Sequence, residues 1–144
     1  MKQMARDEIR FFLLQGTFTG KLGTINDDGT PHIVPIWFIL DDEGNIVFNT
    51  GNKSIKAKNI RRDNRVRFCV DDQIPPFSFV TLDGNAEIIS DIPGEVFKWA
   101  KKIAARYMGN DKAEQYGKRN SSTGELLLKI TPNKIIGQKD ITGW

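Results

Sequence analysis

The hydrophobic positions of this chain change period several times, and each change marks an element. Between Asp7 and Gln15 the apolar residues Ile9, Phe12 and Leu13 share one side of a helix, and Gly16 supplies its stop. From Gly20 to Asn26 the pattern alternates as in a strand, and Asp27-Asp28-Gly29 is a turn signal. Ile33 to Leu40 is apolar almost throughout, interrupted by Pro35, and Asp41 to Asn45 turns the chain into a third strand at Ile46 to Asn49. Val66 to Val70 reads as a fourth strand, and Phe77 to Ile89 as a long fifth with Asp83-Gly84-Asn85 inside it. A glycine in that position fits a bulge or a sharp bend. Pro93 to Met108 is the clearest helix. Val96, Trp99, Ala100, Ile103 and Tyr107 recur at three and four residues, while Lys98, Lys101, Lys102 and Arg106 take the other side. Asp111 to Arg119 reads as a second short helix, and Leu126 to Ile130 and Ile135 to Gln138 complete the β content. The first four residues are expected to lead straight into the first helix.

Six or seven strands joined mostly by hairpin-length turns, with helices beside them, predict a mainly β fold. The expectation is a small antiparallel barrel with flanking helices, in one domain spanning residues 1–144. The long, bent fifth strand favours closure over a flat sandwich.

Composition narrows the chemistry. Of the 144 residues, 39% are hydrophobic and 27% charged, as in a soluble globular protein, and no apolar run approaches the roughly 18 residues of a membrane span. A cytoplasmic protein without a membrane partner is expected. A single Cys leaves no internal disulfide, and one His with one Cys does not make a typical zinc site, so no metal is expected. A Ser-His-Asp or Cys-His device would have to use His32, which follows a turn and a proline on a strand. No catalytic side chain is therefore assigned, and an enzyme of this composition takes its reactivity from a bound cofactor. Cys69, mid-strand between Phe68 and Val70, reads as an inert thiol, and Trp99 as core. Trp144, a terminal aromatic, is suited to dock on a partner or cover a pocket.

Charge then singles out one segment. Seven of the 21 Lys and Arg residues lie between Lys53 and Arg67, with Asp63 the single acid among them. The net charge of +3 is too small for a dedicated nucleic-acid binder, so the clustering carries more information than the total. The segment starts where the Asn45–Thr50 strand ends. Ser54 stands as an N-cap before Ile55-Lys56-Ala57-Lys58-Asn59-Ile60, and a helix start of this kind holds anions. Lys56 and Asn59 share a helix face, and Thr50 adds a hydroxyl from the preceding strand. Ile55 and Ile60 are not helical neighbours, which fits a purely structural amphipathic helix poorly; a solvated basic helix is the alternative. Pro35 has no N–H and belongs at a sheet edge, or beside a gap where Pro35-Ile36-Trp37 faces a flat ligand.

Taken in order, Gly-Thr-Ile-Asn-Asp-Asp-Gly-Thr-Pro-His-Ile-Val-Pro-Ile-Trp-Phe, Phe-Asn-Thr-Gly and Lys-Ala-Lys-Asn-Ile-Arg-Arg-Asp-Asn-Arg-Val resemble the flavin/deazaflavin oxidoreductase superfamily, the pyridoxamine 5′-phosphate oxidase-like split β-barrels. Pro-Pro-Phe-Ser-Phe-Val and Trp-Ala-Lys-Lys-Ile-Ala-Ala-Arg-Tyr-Met-Gly resemble its branch that uses the 5-deazaflavin coenzyme F-420. The resemblance implies a homodimer with cofactor sites at the subunit interface. It implies a phosphate held by Thr50, Ser54, Lys56 and Asn59, a ring against Pro35, Ile36 and Trp37, and Pro76 and Phe77 approaching from the other subunit. Where the vitamin B6 oxidases have an Arg-Lys pair, this chain has Ile55-Lys56, and their basic second strand is replaced by Val34-Pro35-Ile36-Trp37. Both departures count against that activity and against FMN. Lys53, Arg61 and Arg62 suit a cofactor with a longer acidic tail. The expected function is hydride transfer between coenzyme F-420 and a conjugated small-molecule acceptor. The alternatives are an FMN-dependent oxidoreductase and a non-catalytic carrier of flavin, haem or another tetrapyrrole.

Overall fold

The computed structural model of the protein describes residues 1–143, so Trp144 and the role expected for it lie outside the described residues. Eight strands and four α-helices follow the order β1 (Lys2–Gln3), α1 (Arg6–Leu14), β2 (Gly20–Ile25), β3 (Pro31–Ile36), β4 (Ile39–Leu40), β5 (Ile46–Gly51), α2 (Ile55–Arg62), β6 (Arg65–Asp72), β7 (Ser78–Ser90), α3 (Pro93–Met108), α4 (Ala113–Arg119) and β8 (Glu125–Lys139). A 3-10 turn over Asn110–Lys112 leads into α4. All pairings are antiparallel, in the order β3-β2-β6-β7-β8-β5-β4, with β1 added to the far end of β8.

That order explains the curl of the sheet. Its two outermost strands, β3 and β4, are consecutive in the chain and are separated by Trp37 and Phe38 alone. Two residues reach at most about 10 Å, so the two edges must come round to face each other. Phe38 anchors the join: it is fully buried and meets the Phe68 ring edge-on at 5.0 Å. Yet β4 pairs with β5 only at Ile46 and Val47, so Phe48–Gly51 has β8 on one side and no strand on the other. The barrel is split there.

The alternating pattern of β2, β6 and the first half of β7 fills the interior, with Leu22 opposite Phe68 and Phe68 opposite Leu82. Ile9, Phe12 and Leu13 of α1, and Ala57 and Ile60 of α2, enter the same cluster. At about 1.5–3 kcal/mol for each large side chain removed from water, this cluster is the main source of stability. The unbroken burial of Ile46, Val47 and Phe48 has a simple cause. Val47 faces away from the barrel, where it packs with Leu127 beneath Val96 and Trp99 of α3.

Three sequence expectations need correction. The strand count is eight rather than six or seven, because Lys2–Gln3 pairs with Lys139 and Gln138 before α1 begins. The Ile33–Leu40 run is two strands, β3 and β4, broken at Trp37-Phe38. Leu126–Ile130 and Ile135–Gln138 are one continuous strand, β8. The irregularity at Gly84 is real, but the extra residue is Asn133 of β8, since Asp83 pairs with Lys134 and Gly84 with Pro132. Gly84 is required opposite it, as a Cβ there would sit 2.5 Å from the Thr131 carbonyl oxygen.

Candidate functional site

At the split, a cavity of about 290 Å³ is lined by Pro35, Ile36 and Trp37 on one side, Asn49, Thr50 and Gly51 on the other, and Lys56, Ile103, Asn120 and Glu125 around them. Its apolar wall is set by the sheet edge. Pro35 lies on edge strand β3, where its missing N–H leaves no gap in a ladder. Trp37, just past the end of β3, stacks on Tyr107 of α3 with centroids 5.0 Å apart and planes within 5°. Tyr107 is fixed in turn: its hydroxyl donates to the Phe18 carbonyl at 2.9 Å and accepts from the Phe38 N–H at 3.2 Å. Burial raises its pKa further from neutrality. This tyrosine supports the wall and is not placed to act as an acid.

The polar end is built by the β5–α2 turn. Ser54 caps α2, accepting from the Ala57 N–H at 3.1 Å, and receives the Thr50 hydroxyl at 3.1 Å. The cap leaves the first-turn amides of Ile55 and Lys56 free to meet an anion, with the positive end of the helix dipole behind them. Lys56, half-buried, points its charge into this end; burial lowers its pKa, and Glu125 acts in the opposite direction. Glu125 stands on the facing wall. Asn49 Nδ2 donates to its Oε1 at 3.2 Å and to the Asn120 carbonyl at 2.7 Å. Burial raises the Glu125 pKa, partly offset by the Asn49 hydrogen bond and by Lys56.

Pro35, Ile36, Trp37, Thr50 and Lys56, all named from sequence, therefore meet in one cavity. Ser54 supports it from behind. The other named residues lie elsewhere. Asn59 is buried, and its amide donates to Thr24 Oγ1 and Asn26 Oδ1, both at 3.0 Å. It pins α2 to β2 and has no donor left for a phosphate. Arg61 donates to the Asn52 carbonyl at 2.8 Å, and Arg62 to Asn59 Oδ1 at 3.0 Å and to the Ile25 carbonyl. Lys53 is exposed at the turn before α2. Pro76 and Phe77 sit on the β6–β7 loop, where their carbonyls accept from the Thr142 and Ile141 N–H groups, away from the cavity of their own chain.

Sequence reasoning missed Asn49, Asn120 and Glu125. A second, larger groove of about 420 Å³ on the outer face of β2, β3 and β6 is lined by Ile25, Pro31, Ile33, Arg65 and Arg67 among others. Its polar lining, Thr24, Arg65, Arg67, Asp83 and Asn133, comes from strands alone, and no helix start opens into it. Among the described residues no cluster of His, Cys, Asp and Glu is arranged to hold a metal ion, and Cys69 is a free, half-buried thiol whose pKa burial raises. No helix among the described residues is long and apolar enough to cross a membrane.

The comparisons agree with this architecture. A conserved hypothetical protein from Mycobacterium tuberculosis has the same fold at a TM-score of 0.84 and 28% identity, covering 100% of this chain and 94% of that one. A protein described as an F420 reductase superposes at 0.70 with 25% identity, covering 87% and 94%. In sequence, a 5a,11a-dehydrotetracycline/5a,11a-dehydrooxytetracycline reductase from Streptomyces rimosus subsp. rimosus is 38% identical over 68 residues. That match spans 45% of this chain and only 46% of the relative. Residues 5–139 match the family described as pyridoxamine 5′-phosphate oxidase, and with its split barrel and edge cavity the chain belongs to that family of flavin- and deazaflavin-type oxidoreductases.

Proposed function

We propose that the protein is a reductase that binds the deazaflavin coenzyme F-420 at the split and reduces a conjugated organic acceptor stacked on the cofactor ring. The observation that carries this reading is the cavity itself: a flat wall of Pro35, Ile36 and Trp37 faces a polar end made by Thr50, Lys56 and the start of α2. A ring with a phosphate arm needs this pairing of an apolar slot with a cationic helix start. When bound, such a cofactor supplies a hydride equivalent. The chain contributes position: the Tyr107-backed Trp37 fixes the plane, Lys56 and the Ile55 and Lys56 amides fix the arm, and Ile103 helps to exclude water. The proton that completes the reduction comes from solvent.

Similarity to an F420 reductase and to a tetracycline-type reductase supports a conjugated acceptor. With Arg61 and Arg62 tied to carbonyls, the exposed Lys53 is the residue of that set we assign to an acidic tail. The family match favours FMN as the second reading, since Lys56 and the helix start suit any flavin phosphate. We place the protein in the cytoplasm as a homodimer. A second copy would cover the outer groove around Ile33, which is 65% exposed, and would bring its Pro76–Phe77 loop to the ring.

Absorbance and fluorescence titrations with F-420 and with FMN test this. A Kd below about 100 µM, worth roughly −5.5 kcal/mol, is expected for F-420, with weaker binding of FMN. If neither cofactor binds in that range the proposal fails, and tight binding without turnover of quinones or enones would make the protein a carrier.

A further inference from the structure

A carboxylate is an unexpected wall for a phosphate pocket, and Asn49 holds the Glu125 side chain on that wall. Its Oε1 is held by Asn49 Nδ2, and its Oε2 lies 3.2 Å from where a Cβ on Gly51 would be, directly across the β5–β8 ladder. The backbone around it is set by the same register, with Gly51 paired to Glu125. We infer that Glu125 makes phosphate binding a proton-coupled event: the pocket accepts the phosphate anion together with one proton from solvent, which neutralises Glu125 and turns it into a hydrogen-bond donor. The inference rests on the reading of this cavity as the phosphate site.

The charges around Glu125 leave few alternatives. Helix α2 presents Lys56, the one cation lining the cavity among the described residues. Strand β5 presents Asn49, Thr50 and Gly51, α3 presents Ile103, the end of α4 presents Asn120, β3 presents Pro35 and Ile36, and the β3–β4 link presents Trp37, all uncharged. With Lys56 and Glu125 both ionised, the wall is neutral overall, and an entering phosphate anion meets a like charge on the wall. Protonating Glu125 leaves Lys56 unopposed and adds an O–H donor beside it. Burial already favours the protonated carboxyl, so the phosphate has only to extend that preference. Each unit by which the ligand raises the carboxyl's pKa costs a factor of ten in affinity at pH values above it.

Fluorescence titrations from pH 5.5 to 8.5 with FMN and with F-420, using riboflavin as the phosphate-free control, test the inference on the wild type and on Glu125→Gln. The glutamine keeps an Oε1 acceptor for Asn49 and removes the titration. The variant is expected to bind the phosphate-bearing cofactor at least about fivefold more tightly at pH 8, with the difference narrowing as pH falls. Riboflavin is expected to show no such difference. Calorimetry of the wild type alone, in Tris and in HEPES, is expected to report uptake of about one proton per cofactor bound, whatever the variant's folding. Equal pH slopes in both proteins, with no proton uptake, overturn this inference and leave the cofactor site standing. Failure of both cofactors to bind at every pH overturns the cofactor site and this inference together.

Discussion

Lys56 and Glu125 show how differently two residues of one site announce themselves. Lys56 was legible because its signal is local: a capping serine, a helix start and a preceding strand end within seven residues. Glu125 was not, because it reaches the cavity only through the pairing of β5 with β8, more than seventy residues downstream. Asn59 shows the opposite error. Its helical spacing from Lys56 puts the two on one face, but its amide is drawn inward by Thr24 on β2 and Asn26 just past its end, which spacing cannot reveal. Two expectations belong at this scale. Lys56→Ala removes a charge-assisted contact worth roughly 1.5–3 kcal/mol, so binding of a phosphate-bearing cofactor should weaken about 10- to 100-fold while riboflavin binding stays within about twofold, by fluorescence titration. The second concerns stability without ligand. The Glu125 carboxyl holds its proton more tightly in the folded chain than at its ordinary value of 4.5. That contribution is fully present below 4.5 and is lost as pH rises through the folded value. Glu125→Gln cannot lose it, so thermal melts should show a higher Tm than the wild type at pH 8 and no difference at pH 4.

At the scale of elements, the helices were legible almost to the residue, since α3 carries its apolar stripe and its N1 proline openly. The strands were less so, for two reasons. A two-residue strand such as β1 has no period to read, and β8 runs through Thr131-Pro132-Asn133, residues that signal a turn. Pro132 is tolerated mid-strand because the bulge at Asn133 breaks the ladder beside it. What joins the elements is equally hidden in sequence. Arg106, read as part of the solvated side of α3, reaches back ninety residues. Its guanidinium donates to the carbonyls of Leu13 at 2.7 Å, Gly16 at 3.0 Å and Phe38 at 2.9 Å, and it lies over the Phe38 ring at 4.7 Å. It caps α1 and holds the β3–β4 link with one side chain, and burial lowers its pKa without placing it within reach of neutrality. Arg106→Ala should therefore cost about 3 kcal/mol in urea unfolding, several carbonyls losing charged partners at once. Arg106→Lys, a point donor in place of a fork, should recover less than half of that. A loss below about 1 kcal/mol for the alanine variant would show that water replaces these bonds freely.

For the whole molecule, the decisive property is that the sheet curls until its edges face each other and then stops short of pairing them. A barrel closed by hydrogen bonds would satisfy Phe48–Gly51 and leave no slot; the two-residue Trp37-Phe38 link and the short β4 hold the edges near while keeping the slot open. This much was expected from the resemblance, although the physical cause, a strand order whose ends are chain neighbours, appears only with the pairing. In the proposed dimer, the partner's Pro76–Phe77 loop would close the open side of the slot. The outer face offers a place for that partner: Ile33, with Ile25 and Pro31 beside it, lies exposed in a groove bordered by Arg65 and Arg67. Ile33→Glu tests assembly and site together. Its side chain is 65% exposed in the single chain, so a monomer should tolerate the change with little loss of Tm. A dimer that buries this face would instead bury a carboxylate in an apolar contact, and its desolvation cost is offset only in part by Arg65 and Arg67. Sedimentation equilibrium at micromolar protein should thus find a wild-type dimer and a folded Ile33→Glu monomer, and the monomer should bind cofactor at least about tenfold more weakly because the partner's loop is gone. A wild type that is monomeric yet binds cofactor fully would refute the shared site, and a variant that stays dimeric would move the interface to another face.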